Sequence, residues 1–419
     1  MEFIYKRYAA IDETVLLEQS TLTNEYTEYL RHVAEKNSYE YPESSINLPF
    51  DEDIFNLMIP LKEKMLSKPV KRIVLVGIGG DNLGTKAVYE ALKTEKTTEI
   101  LFLDTLDEPQ LEKILKILED DGSDDTLIII ASKSGKTIET LYNSSMLLQV
   151  NKAYIHRTIF ITSENSPLWN FAQKNNCPAL PIPLTVGGRY SVFSAVGLFP
   201  LFCAGIDTVK LLEGAMEARN NCLDKNILNN PARISAQLIF GNLEKDKNIL
   251  DMLVFAPKLE ALAKWYRQLV AESLGKDGKN ITPTISVGTT DLHSVWQSYI
   301  GGHRNKQLCL VTLKHANKTY KIKGAVELPS EVKLKNINLI QLRNSIQAGV
   351  KETLLENRIP FTEIALGLIE EKEIGNFMQF KMMEVMQLGK LLKINAFDQP
   401  DVEGYKRKSL ENLKIYADH

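Results

Sequence analysis

No stretch of this sequence stays apolar for anything near the roughly 20 residues that a membrane-spanning helix needs. Charge of one sign is also missing: 50 lysines and arginines against 53 aspartates and glutamates leave a formal −3. Such a balance gives no global field to draw nucleic acid, and neither a nucleic-acid nor a membrane partner is expected. The first residues, Met1 to Tyr8, carry charges with no apolar segment behind them, which argues against a secretory leader. Cysteine is scarce: Cys177, Cys203, Cys222 and Cys309 lie far apart with no CxxC pair. Free thiols in a cytoplasmic setting are expected, rather than disulfides or zinc. The six histidines, His32, His156, His293, His303, His315 and His419, show no metal-ligand spacing, so no metal is expected.

What is present is the composition of an ordinary globular protein, 44% apolar and 25% charged over 419 residues. That length accommodates two or more domains. Residues 1–60 are polar with scattered apolar positions and read as helices packing around a first unit. From Lys71 onward, β-branched apolar runs alternate with amphipathic ones: "RIVLVGIGG" (72–80), "TEILFLD" (98–104), "DTLIIIAS" (125–132) and "RTIFIT" (157–162) against "TKAVYEALK", "EPQLEKILKILED" and "TIETLYNSSMLLQV". Continuously apolar strands separated by helices predict a parallel sheet covered on both faces. The alternation restarts near residue 206 with a helix over 208–223, strands over 248–257, 282–288 and 307–313, and a helix over 259–275. The fold class is therefore α/β, two doubly wound parallel-sheet units packed together. Their expected bounds are 61–205 and 206–395, with extensions 1–60 and 396–419. In such sheets ligands sit at the carboxyl ends of strands.

Several strand-to-helix loops carry chemistry. "GIGGDNLG" (77–84) has the placement of a dinucleotide fingerprint, but Asn82 stands where the third glycine belongs. "SKSGKT" (132–137) ends like a nucleotide P-loop, yet Ile130 occupies the position of its first glycine. What remains is a hydroxyl-rich loop before a helix N-terminus. There Ser132, Ser134 and Thr137, with Lys133 and Lys136, suit a monophosphate ester. "VGGRYS" sets Arg189 behind Gly187 and Gly188, an arrangement that lets a guanidinium close on a delocalised oxyanion. In "QLVAESLGK", Glu272 ends an apolar helix with Gln268 four positions earlier on the same face. It reads either as a buried base or as an exposed helix-end charge. His293, in "GTTDLHS", is the one histidine inside such a motif.

In this order, "VGIGGDNLG", "SKSGKTIET", "VGGRYSVFSAVGL", "ESLGKDG", "GTTDLHSVWQ" and "INAFDQPDVEGYK" make the chain resemble the glucose-6-phosphate isomerase (phosphoglucose isomerase) family. The segments run from residue 76 to residue 406. The resemblance implies two sugar-isomerase (SIS) domains, a homodimer with a shared active site, and no cofactor. It implies that Ser132, Lys133, Ser134 and Thr137 hold a sugar phosphate, with Gly80, Asp81, Gly188 and Gln268 also contacting substrate. By the same resemblance Glu272 is the base and Arg189 the cation beside the intermediate. His293, from the neighbouring subunit, opens the ring with Lys406. A non-catalytic sugar-phosphate sensor, or an isomerase also accepting mannose 6-phosphate, are the alternatives. Three departures from the family pattern stand out: Asp81 replaces a serine, Lys136 a threonine and Leu292 a glutamine. A carboxylate at 81 is unfavourable beside a dianion unless it points away or is paired, and Lys136 is a candidate for compensating it.

Overall fold

The computed structural model describes residues 1–6, 16–17, 20–278, 281–324 and 328–417. Strand β1 (Glu2–Ile4) precedes helices α1 (Ser20–Lys36) and α2 (Glu52–Met65). Then β2 (Arg72–Val76), α3 (Leu83–Leu92), β3 (Glu99–Leu103), α4 (Glu108–Asp120), β4 (Thr126–Ala131), α5 (Ile138–Val150), β5 (Thr158–Thr162), α6 (Pro167–Lys174) and β6 (Ala179–Pro181) alternate. Helices α7 (Ala195–Cys203), α8 (Thr208–Cys222) and α9 (Pro231–Leu243) lead to the second round. It comprises β7 (Ile249–Val254), α10 (Glu260–Leu274), β8 (Thr282–Val287), α11 (Trp296–Gly301), β9 (Lys306–Leu313), α12 (Leu339–Glu356) and β10 (Phe361–Leu366). Two helices close the described chain, α13 (Glu371–Leu392) and α14 (Val402–Ala417).

The strands form two five-stranded sheets. The first, in the order β3-β2-β4-β5-β6, is parallel throughout. Its central strand β4 is buried at every residue, which is why its sequence reads as an unbroken apolar run. The second sheet has the order β1-β10-β9-β7-β8 and is parallel except at β1, which pairs antiparallel with β10. Helices α1 and α2 occupy much of the N-terminal stretch, while β1 places Glu2–Ile4 on the second sheet, with Met1 N bonded to Glu373 Oε1 at 2.7 Å. Three residues are too short a strand to leave a period-2 signature.

One continuous apolar core draws on both sheets, from Ile73, Leu75 and Leu127 to Met252, Val254 and Ile364. Helix α13 runs through it, buried on all sides from Ile374 to Gly389, and with its Phe, Met, Val and Leu residues it buries Asn376, Gln379, Lys381, Glu384 and Gln387. The two charges in that buried stretch are paired internally: Lys381 Nζ meets Glu384 Oε2 at 2.6 Å, and Tyr266 of α10 donates to Glu384 Oε1 at 2.6 Å. That network ties α13 to α10, and α10 also packs against α3. Helix α10 therefore sits between the two sheets' helices, and its C-terminal turn opens onto the loops of the first sheet.

Candidate active site

Arg189 stands at the centre of the site. It lies in the single turn Gly188–Tyr190 and is 3% exposed. Its Nε donates to Ser273 Oγ at 2.7 Å, and Nη1 to Gln399 Oε1 at 2.8 Å and to Glu272 Oε2 at 3.5 Å. Nη2 donates to the carbonyls of Ala396 at 2.8 Å and Asp398 at 3.0 Å. All five guanidinium N–H groups are thus directed, which fixes the cation's position. Glu272 is two-thirds buried, and its other oxygen accepts from Gln268 Nε2 at 2.9 Å. The i, i+4 spacing on α10 makes that bond, and it holds the carboxylate between an amide and a cation.

Two glycine loops close the floor. A Cβ on Gly80 would lie 2.4 Å from Gly188 C and 2.6 Å from Arg189 N, so the GIGG and GGR backbones touch directly. Gly79 has φ +60° and approaches Gln268 Nε2. Gly80→Ala is expected to cost about 1–3 kcal/mol of stability through overpacking, read as a lower thermal midpoint. An unchanged midpoint would show that the loops can part freely.

The 132–137 loop follows β4 at the carboxyl edge of the first sheet. Gly135 turns it with φ +63°, where a Cβ would meet Leu168 and Ser166 at 2.9 Å. Ser132 Oγ and Thr137 Oγ1 lie 3.1 Å apart, and Thr137, the N-cap of α5, makes no side-chain cap hydrogen bond. The helix start is left facing the loop with its backbone N–H groups, the geometry of an anion site. Ser134 Oγ accepts from Lys136 N at 3.2 Å. Asp81 reaches this loop: both its oxygens lie 3.4 Å from Lys133 N, and Oδ1 lies near Gly188. Burial pushes the Asp81 carboxyl up to about 7, with Glu272 adding to the rise, against the opposing Lys133 N–H and the Lys133 and Lys406 charges. Burial also lowers the Lys133 ammonium, Asp81 opposing. The carboxylate expected to be awkward is therefore paired with the loop backbone, and the cations acting on it most are Lys133 and Lys406 rather than the exposed Lys136.

Lys406 lies on α14, exposed and bonded to Glu403 Oε1 at 2.9 Å, and its charge reaches Asp81. His293 is set apart. It is exposed in the turn Thr290–His293 after β8, and among the described residues its imidazole makes no hydrogen bond or ion pair. The chain thus brings together Gly80, Asp81, Ser132, Lys133, Ser134, Thr137, Gly188, Arg189, Gln268 and Glu272, with Lys406 at their margin, and leaves His293 on an open surface.

Five further residues build the site without having been singled out in the sequence. Ser273 and Tyr190 share a hydroxyl contact at 3.0 Å beneath Arg189. Gln399 and Asp398 meet the guanidinium, and the largely buried Lys276 Nζ donates to Asn395 O and Asp398 Oδ1 at 2.5 Å. All five fall inside the motifs quoted above, which was the available signal. The partners they meet lie 80 to 210 positions away.

Residues 63–312 match the model of the family described as phosphoglucose isomerase. A glucose-6-phosphate isomerase of Methanocaldococcus jannaschii is 33% identical over 347 residues, covering 80% of this chain and 83% of that protein. One of Rubrobacter xylanophilus is 32% identical over 385 residues, covering 88% of each. Among solved structures, a hypothetical protein of Thermus thermophilus superimposes with a TM-score of 0.87 at 29% identity, covering 98% of this chain and 99% of the other. A glucose-6-phosphate isomerase of Chlamydia trachomatis shares the fold, with a TM-score of 0.82 at 19% identity, covering 100% of this chain and 89% of the other. With Arg189, Gln268 and Glu272 converging beside a hydroxyl-lined loop, and with a family model spanning more than half its length, this chain belongs to the phosphoglucose isomerase family.

Proposed function

We propose that the chain interconverts glucose 6-phosphate and fructose 6-phosphate, a step of glycolysis and gluconeogenesis. The observation that carries this reading is Glu272 held between Gln268 and Arg189, within electrostatic reach of the Asp81–Lys133 contact on the phosphate loop. An aldose–ketose exchange needs one base that moves a proton between adjacent carbons and one fixed cation for the enediolate oxygen. Glu272 takes the C2 proton and returns it to C1, and Arg189 stabilises the charge between those events. Ser132, Ser134 and Thr137 hold the phosphate with Lys133, while Gly80 and Gly188 let the sugar approach the backbone.

Ring opening requires a proton on the ring oxygen and the loss of one from the C1 hydroxyl. Lys406 and His293 take these roles, with His293 supplied by a second copy of the chain. Two features support such a homodimer. His293 lies exposed and, among the described residues, makes no hydrogen bond or ion pair, and α14 presents Val402, Tyr405, Leu410, Leu413 and Tyr416 along one side, four of them exposed. We assign the first SIS unit to 61–205 and the second to 206–395, and place the enzyme in the cytoplasm, the setting of free thiols such as the four unpaired cysteines.

The test is turnover of fructose 6-phosphate, followed by coupled oxidation of the glucose 6-phosphate formed, with and without EDTA. Equal turnover in both is expected, because no step in this scheme calls on a metal. No turnover sinks the reading, and sensitivity to EDTA sinks the metal-free scheme.

A further inference from the structure

Asp81 is the group in the site whose presence the isomerisation scheme does not explain. A phosphate loop collects donors, yet here a carboxyl from the neighbouring glycine loop faces one of them. Both Asp81 oxygens stand 3.4 Å from Lys133 N, and a Cβ on Gly188 would be 3.7 Å from Oδ1. A substrate phosphate approaching Lys133 N therefore meets an acceptor already in place.

We propose that Asp81 controls anion binding at the phosphate site: its carboxyl acts as a tethered anion on the Lys133 N–H, and it must be neutral for a dianionic sugar phosphate to take that N–H. This rests on the reading of 132–137 as the phosphate loop. In its neutral form the carboxyl donates one O–H to a phosphate oxygen, as the serine usual at this position would. In its ionised form it can only accept, and it repels the dianion at close range.

The surroundings set which form prevails. Lys133 faces Asp81 from the loop after β4, Lys406 from α14 and Glu272 from α10, while Arg189 faces Lys133 from the GGR turn. Burial outweighs the two cations, so the carboxyl changes charge near neutrality, at about 7, rather than in the usual carboxylate range. The sign follows. Below that point the neutral acid accommodates the dianion; above it, binding must also take up a proton at Asp81, and affinity falls as pH rises. A sugar phosphate, with its second ionisation near 6, is already dianionic there, so its own titration adds little to the trend.

The experiment compares wild type with Asp81→Ser and, as an isosteric check on folding, Asp81→Asn. KM for fructose 6-phosphate is measured from pH 7 to about pH 8.5, and in wild type it is expected to rise roughly tenfold as the group ionises. In both variants it should change less than twofold. Binding of sulfate, a dianion throughout this range, is measured by calorimetry on the same three proteins. Its affinity should fall with pH in wild type alone. A flat profile in wild type, or the same slope in the variants, overturns the inference. If fructose 6-phosphate is not turned over, the isomerase reading fails, and the sulfate titration still decides Asp81: a pH-dependent loss confined to wild type supports it, and equal or absent binding overturns it.

Discussion

Glu272→Gln is expected to bind fructose 6-phosphate with near-native affinity and to lose isomerisation by about 10²–10⁴-fold. The amide keeps the size of the carboxylate but only one oxygen, which can stay toward Arg189 Nη1. Its NH2 then meets Gln268, whose own amide must turn to present Oε1, an oxygen without a partner in the native chain, in place of the Nε2 that donates at 2.9 Å. What disappears is the basic lone pair that accepts the C2 proton. The fall should therefore appear in kcat with little change in KM. Exchange of the C2 hydrogen with solvent should be lost in parallel. Turnover within tenfold of wild type would mean that another group is the base.

The second large effect concerns Arg189. Arg189→Lys retains a positive charge but replaces five directed N–H groups with three on a flexible stem. The native side chain serves Ser273, Gln399, Glu272 and two carbonyls at once. Lysine must abandon some of these acceptors, at about 1–3 kcal/mol of stability for each of the buried ones, Ser273 Oγ and Ala396 O, left unsatisfied. The cation would also sit off its position beside the enediolate oxygen. A loss of roughly 10²–10³ in kcat is expected, as for removal of one oxyanion donor, together with a lower thermal midpoint. Native kcat in a destabilised Arg189→Lys protein would separate the two roles and leave Arg189 as scaffold only.

Much of the fold is legible in the sequence because parallel strands are covered on both faces. Thr126–Ala131 and Thr158–Thr162 are buried at every position, and their sequences read accordingly. β10 escapes that logic. Its "FTEIAL" places Glu363 in the interior, where Thr312 Oγ1 at 2.8 Å and Lys351 Nζ at 3.1 Å satisfy it. A local reading takes such a glutamate as an edge or a loop. β1 and β6, three residues each, carry too little pattern to register.

The site divides in the same way. The 132–137 loop is readable from its own residues, since hydroxyls before a helix N-terminus need no distant partner. Glu272 is not: spacing alone reads it equally as a helix-end charge, and the resemblance selects the other reading. Its surroundings are set by Arg189, 83 positions away, and by the abutment of Gly80 on Gly188. Contacts of that range follow from how the two sheets dock, which no short motif encodes. Ser273, Lys276 and Gln399 carry no local signal of their own for this reason, although each lies close to a residue that does.

The segment 395–399 is fastened by Arg189 Nη2 and Lys276 Nζ on its carbonyls, while α14 beyond it is exposed along nearly its whole length. Releasing that segment exposes two buried cations, so its opening is costly, whereas an unsupported helix opens at little cost. Native-state amide exchange in a single chain should therefore change abruptly near Pro400, slow on the core side and fast across the helix that carries Lys406. Slow exchange within α14 that appears only as chain concentration rises would mark the arrival of a second copy. Lys406 would then owe its order to the partner, not to its own fold.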